Sequence, residues 1–184
     1  MMNKSQRDAV LLSLIREMIN KGSWSGETHI QKAAYFLQTL LEVPLEFDFI
    51  LYKHGPFSFD LSDEITALRA DALLRYQTRP YPYGPSIVPT DEASSFLDSY
   101  PKTLKRYHDR ISFVADRLGK MGVADLERLA TALYVTLNHN GQSSRRAEQI
   151  HRLKPHISLE EADLAVQRAD EIMGEARDRC TSKP

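Results

Sequence analysis

The chain has 184 residues, of which 42% are hydrophobic and 27% charged, and its formal net charge is −1. A chain of this length buries about two thirds of its unfolded surface, so it needs no metal or disulfide to fold. A single cysteine, Cys180, excludes an intramolecular disulfide framework and is typical of a reducing compartment. Because we find neither a targeting segment nor an apolar run of the roughly 18 residues that span a bilayer, we expect a cytoplasmic protein with no membrane partner.

The charge is distributed unevenly along the chain. The formal charge is −4 over residues 1–100, +6 over residues 101–156 and −3 over residues 157–184. The basic middle segment could meet nucleic acid or an acidic protein, or it could offset the acidic ends of the same molecule. Its candidate nucleic-acid-binding residues form two groups, which are Lys102, Lys105 and Arg106, and then Arg145 and Arg146.

The first half of the chain mixes helix and strand patterns. Apolar residues at helical spacing predict helices at about residues 5–20 and 28–41, and Pro44 follows the second. Alternating apolar and polar residues predict a strand at about 46–53. A third helix follows at about 58–70, with Ser58 placed to cap it.

Two short strand patterns, Leu73–Gln77 and Ser86–Pro89, then enclose a loop rich in proline and tyrosine, residues 78–85. From Thr90 onward the pattern is almost wholly helical, and Asn138–Gly141 carries residues that tolerate a left-handed helix end. We therefore predict an α+β, mainly helical fold in one compact domain. Its parts are a winged-helix-like half with a small β-sheet (1–90), a helical part packed on it (91–176) and a flexible tail (177–184).

The most informative local feature is the segment Tyr52–Leu61, where a strand pattern meets a helix pattern through Gly55-Pro56. Gly55 permits an unusual backbone dihedral and Pro56 fixes one, so we expect a stiff corner. We refer to residues 52–58 as the corner. The candidate partner-binding residues are those of the corner and of the loop after the third helix: Tyr52, His54, Gly55, Pro56, Phe57, Ser58, Tyr81 and Tyr83.

The corner also carries a family resemblance. Tyr-x-x-Gly-Pro-Phe-Ser-x-x-Leu, preceded by the stretch Ile30-Gln31-Lys32-Ala33-Ala34-Tyr35-Phe36-Leu37-Gln38, resembles the YwgA-like families of bacterial proteins. These are similar in turn to the SocA-like, or Panacea, antitoxin domain. Lys154-Pro155-His156-Ile157-Ser158 is similar to a late motif of the YwgA-like group. The resemblance implies an antitoxin-like protein and supplies no catalytic residue.

Motifs of the strong enzyme classes are missing from the sequence. It has no P-loop, dinucleotide glycine fingerprint, zinc-ligand spacing or Gly-x-Ser-x-Gly elbow. Pro155 separates His151 from His156 and breaks the helical spacing that a local metal pair needs. His54, near Ser58 and Asp60, fits a turn-capping role better than a general base. We therefore predict no catalytic residue, no metal and no cofactor.

Three functions remain as hypotheses. The first is a non-enzymatic, protein-binding adaptor or antitoxin-like protein whose partner could be a toxin. The alternative is a winged-helix DNA-binding transcriptional regulator, and the third is a hydrolase or nuclease accessory. The predicted third helix presents Asp60, Asp63 and Glu64, and these like charges oppose binding to a polyanion. Trp24 lies in a glycine- and serine-rich loop and is either a core wedge or a contact residue.

Overall fold

A computed structural model describes residues 2–138 and 143–181 of the chain. Within these ranges the fold is α+β and mainly helical, as predicted, with eight helices and two small antiparallel sheets. None of the described helices is long and apolar enough to cross a membrane. The elements in chain order are α1 (Lys4–Asn20), α2 (Glu27–Leu41), β1 (Ile50–Tyr52), β2 (Gly55–Phe57), α3 (Phe59–Ala70), β3 (Leu74–Gln77), β4 (Ser86–Pro89), α4 (Asp91–Asp98), α5 (Pro101–Leu118), α6 (Val123–Asn138), α7 (Ser143–Leu153) and α8 (Leu159–Thr181).

The chain forms two compact units, and they do not follow the predicted boundary at residue 90. The first unit runs up to Phe49 and then from Ser58 to Met121; the second takes Ile50–Phe57 and the chain from Gly122 onward. Residues 52–57 of the corner therefore belong to a hairpin of the second unit, and Ser58 belongs to the first. The winged-helix likeness of the first half stays a prediction.

Helix α1 is the centre of the first unit, and it packs against α2, α4, α5 and β4. Its residues from Asp8 to Ile15 are all buried, which explains why its apolar residues do not form a single stripe. Its start is fixed by a capping box between Asn3 and Gln6. Close to its end, a side chain at Gly119 would stand 2.5 Å from Lys21 Cβ, so glycine is required where α5 approaches α1.

The predicted strand at 46–53 is wrong for most of its length, because only Ile50–Tyr52 pairs with another strand. The alternation itself is real, since Leu45 and Phe47 are buried while their polar neighbours are exposed. The Gln38 side chain explains the difference. It donates to the Phe47 carbonyl at 2.8 Å and accepts from the Phe47 amide at 2.9 Å, so a side chain holds the groups that a second strand would pair.

In the second unit, α6 packs against α7, α8 and strand β2. The tail prediction for 177–184 is wrong as far as Thr181, because α8 continues to that residue. Ala176 is buried on α8 and anchors its last turns, and Arg177 and Arg179 are the good helix formers among the five residues that follow it. Residues 182–184, and most of the predicted Asn138–Gly141 helix end, lie outside the described residues.

Buried His29 gives the first unit a pH-dependent stability. Burial lowers the pKa of His29, and the smaller opposing effect is its hydrogen bond to the Met121 backbone. The folded chain therefore favours neutral His29. The stability that neutral His29 contributes is fully present above the unfolded pKa of about 6.5, and it is lost as the pH falls through the lower pKa of the folded state.

We expect acidification from pH 7.5 to pH 5.5 to destabilise the wild type more than a His29→Gln variant. Urea unfolding followed by the fluorescence of Trp24, which lies in the same unit, measures this difference. A His108→Gln variant, altered at an exposed histidine, should have the same free energy of unfolding as the wild type at both pH values. An equal pH response of the wild type and the His29 variant would contradict the prediction.

Candidate functional site

The corner is a two-stranded hairpin whose register pairs Tyr52 with Gly55, Leu51 with Pro56 and Ile50 with Phe57. Gly55 has φ +86°, which confirms the unusual dihedral expected there, whereas Lys53 and His54 have no positive φ. A positive φ at a glycine after two such residues is the arrangement of a type I turn followed by a bulge. The corner is therefore a strand turn, and not the strand-to-helix joint that the sequence predicted.

Two glutamines of α2 hold the chain on either side of this hairpin. Gln38 binds the backbone of Phe47 before it, and Gln31 binds the backbone of Ser58 after it. The Gln31 bonds to the Ser58 carbonyl and amide are 2.8 and 2.9 Å long, and the Gln31 side chain is fully buried. Ser58 also caps α3 by accepting from the Leu61 amide, as expected. The glutamines of the family-like stretch thus have a structural role.

Within the second unit, the hairpin turn meets the late motif at a buried carboxylate. Glu127 of α6 lies 3.4 Å from His54 Nδ1, 3.1 Å from His156 Nε2 and 3.6 Å from Lys154 Nζ. Lys154 Nζ also donates to the backbone carbonyl of Tyr52 at 2.5 Å and to that of Lys53. We call Glu127, Lys154, His54 and His156 the turn cluster.

The turn cluster combines buried and exposed members. The side chains of Glu127 and Lys154 are 9% and 8% exposed, whereas those of His54 and His156 are 57% and 60% exposed. A carboxylate group only accepts hydrogen bonds, so in these two contacts His54 Nδ1 and His156 Nε2 are the donors to Glu127. Lys154 supplies the countercharge of Glu127 and ties the turn to the end of α7, which accounts for the burial of both groups.

The described part of the chain holds no group of three or more His, Cys, Asp or Glu side chains placed to bind a metal ion. The prediction of no cofactor stays a prediction. Sequence reasoning missed Glu127 and Lys154 as a pair, although Lys154 lay in the late motif. Their contact joins residues that no local pattern connects.

An exposed aromatic surface lies in the first unit and includes the two predicted loop tyrosines. Tyr81 is 97% exposed, Tyr83 56% and Trp24 46%. The rings of Trp24 and Tyr83 meet edge to face with their centroids 4.5 Å apart, and the Arg79 guanidinium lies 5.4 Å from the Trp24 ring. We call Trp24, Arg79, Tyr81 and Tyr83 the aromatic surface. Trp24 is thus a surface residue and not a core residue, and its role as a contact residue stays a prediction.

Hydrogen bonds between the Trp24 loop and strand β4 position this surface. The Ile87 amide donates to the Ser25 carbonyl at 2.8 Å, and Ser25 Oγ donates to the Ile87 carbonyl at 2.9 Å. Ser86 Oγ donates to the Trp24 carbonyl and accepts from Arg79 Nε at 2.7 Å. Buried Ser86 therefore connects Trp24 to Arg79, so hydrogen bonds hold the backbone beneath the rings in place.

The predicted partner-binding residues fall into exposed and covered groups. Tyr52 and His54 are exposed at the hairpin turn, Phe57 is half-buried, and Gly55, Pro56 and Ser58 are buried. Ser58 and the loop tyrosines belong to the first unit and Tyr52–Phe57 to the second. The buried members shape the backbone and cannot reach a partner directly.

The predicted nucleic-acid-binding residues are also divided. Lys102, Lys105 and Arg106 are exposed on α5 in the first unit, whereas Arg145 and Arg146 belong to α7 in the second. Arg146 makes two 2.8 Å bonds to Asp170 and a 2.9 Å bond to Thr136, so its charge is matched within the second unit.

A scan against protein-family models and a search of curated proteins gave no match to this chain. The YwgA-like and Panacea resemblance therefore remains a prediction that depends on the motif residues themselves.

Proposed function

We propose that this chain is a non-enzymatic, antitoxin-like adaptor that binds a protein partner through the aromatic surface. The observation that carries the proposal is the pair of perpendicular, half-exposed rings of Trp24 and Tyr83, with Tyr81 almost fully exposed two positions before Tyr83. Tyrosine and tryptophan dominate binding energies because they bury a large area with few rotatable bonds.

The construction of the surface also favours binding. Because Ser25 and Ser86 already fix the backbone under Trp24, little conformational entropy remains to be lost when a partner arrives. The loop from residue 78 to 85 contains three prolines, which restrict it further. Rigid rings on a restricted loop are typical of protein-recognition surfaces.

The alternative of a DNA-binding regulator has weaker support. Asp60 and Asp63 are exposed on α3, and Glu64 is buried against Arg7 and Lys4. A recognition helix in that position would turn two carboxylates toward phosphates. The basic residues Lys102, Lys105 and Arg106 remain the only part of the sequence prediction that could serve DNA from the first unit.

The test is a quantitative pull-down from the native host with wild type and a Tyr81→Ala, Tyr83→Ala double variant. We expect the double variant to lose about 2 kcal/mol or more of partner binding, which is roughly a thirtyfold loss, because interface tyrosines are common hot spots. Both side chains are exposed, so the variant should unfold at the same temperature as the wild type.

Two further variants make the comparison specific. Leu164→Ala removes a side chain that is 59% exposed on α8, and it should keep the partner. Tyr52→Ala tests the hairpin turn separately from the loop. A folded double variant with an unchanged set of bound proteins would contradict the proposed function.

A further inference from the structure

The β3–β4 hairpin carries three members of the aromatic surface and is basic, although the chain as a whole is slightly acidic. Residues 72–90 contain two arginines, Arg75 and Arg79, and no acidic residue. The guanidinium of Arg69 in α3 lies over the ring of Tyr76 in strand β3, 3.6 Å from the ring centroid. Within the described residues, none of these three arginines is paired with a carboxylate. These arginines therefore favour an anionic partner.

Arg79 is the arginine best placed to recognise a carboxylate beside the rings. Its Nε donates to Ser86 Oγ at 2.7 Å, which fixes the plane of the guanidinium and leaves the two terminal nitrogens for a bidentate contact. Its guanidinium also lies 5.4 Å from the Trp24 ring, so a lysine or other cation of a partner would meet a ring that already holds a positive charge. An acidic side chain is favoured on both grounds.

We propose that the occupant of the aromatic surface is an extended acidic segment of the partner protein, whose Asp or Glu side chains pair with Arg79 while neighbouring residues pack on Trp24, Tyr81 and Tyr83. This inference rests on the proposed function and adds the chemistry of the partner. An extended segment fits because Arg79, Tyr81 and Tyr83 follow one another in the loop of the β3–β4 hairpin, and Trp24 packs on Tyr83, so a strand-like peptide can contact them in turn.

The chain contains a single tryptophan, so its indole N–H gives one NMR signal that reports on this surface alone. The probes are three synthetic peptides in which proline alternates with glutamate, glutamine or lysine; proline keeps each of them extended. We expect the glutamate peptide to shift the Trp24 signal and to bind about tenfold or more tightly than the glutamine peptide, as a charge-assisted bidentate contact predicts. The lysine peptide should bind most weakly, and salt should weaken the glutamate peptide most.

Matched variants assign the effect to one arginine. Arg79→Gln should remove the preference for glutamate over glutamine, whereas Arg152→Gln, which removes an equal charge from an exposed site on α7, should preserve it. Equal affinities for the glutamate and glutamine peptides, or no shift of the Trp24 signal with any of them, would overturn the acidic-segment inference. The proposed function fails separately, if the Tyr81→Ala, Tyr83→Ala variant keeps its native partner.

Discussion

Replacing Lys154 by methionine should lower the free energy of unfolding of the second unit by about 3 kcal/mol. The methionine fills most of the space but leaves the buried carboxylate of Glu127 without its ammonium partner. It also removes the donor that Lys154 gives to the carbonyls of Tyr52 and Lys53. Removing one member of a buried pair is costly because the remaining charge stays out of water.

The measurement has to report on the second unit, since Trp24 lies in the first. Amide hydrogen exchange of α6 and of the β1–β2 hairpin gives local opening free energies for this purpose. An Arg152→Met variant, changed at an exposed position on the same helix as Arg146, should stay within about 0.5 kcal/mol of the wild type. The combined Lys154→Met, Glu127→Leu variant should recover part of the loss, because no unpaired charge remains. Unchanged exchange in Lys154→Met would show that the turn cluster does not hold the hairpin.

Replacing Gly55 by valine should destabilise the second unit by about 2 kcal/mol, because a β-branched residue resists the φ of +86° found there. Gly55 is also buried, so the added methyl groups must displace neighbours in the hairpin. The same hydrogen-exchange experiment measures the loss. The backbone of Tyr52 should lose protection with it, since Gly55 is its strand partner.

Two other glycines separate the causes of this loss. Gly22 has φ +98° with nothing within 4 Å of an added Cβ, so Gly22→Val shows the effect of the backbone conformation alone. Gly84 has open space around it and no positive φ, so Gly84→Val should change stability little. If Gly55→Val were as stable as the wild type, the hairpin turn would have to tolerate a different backbone conformation.

Local patterns predicted most of the helices, because helical periodicity and caps depend on residues three or four apart. Ser58 caps α3 as its position indicated, and Thr90 caps α4 at the point where the helical pattern begins. The pattern failed at residues 46–49, because alternation reports which side chains are buried and not what binds the backbone. The Gln38 side chain binds the Phe47 backbone groups that a neighbouring strand would otherwise pair. No local sequence pattern indicates this contact.

The candidate sites were predicted less completely for a related reason. The tyrosine loop and the corner could be predicted because each has an unusual composition within a short stretch of sequence. Trp24 meets Tyr83 across 59 positions of sequence, and Lys154 meets Tyr52 across 102. The sequence alone gives no partner for Glu127 or Lys154. Charged residues of this kind are usually exposed, and only the fold brings these two together.

The most direct test of partner binding through the aromatic surface is site-specific photocrosslinking in the native host. A photoreactive phenylalanine analogue at position 81 retains an aromatic ring in the loop, and the same analogue at position 105 of α5 samples the exposed basic helix as the comparison site. We predict a discrete crosslinked protein from position 81 and neither protein nor nucleic acid from position 105. Crosslinking to DNA or RNA from position 105, with no protein captured from position 81, would contradict the account.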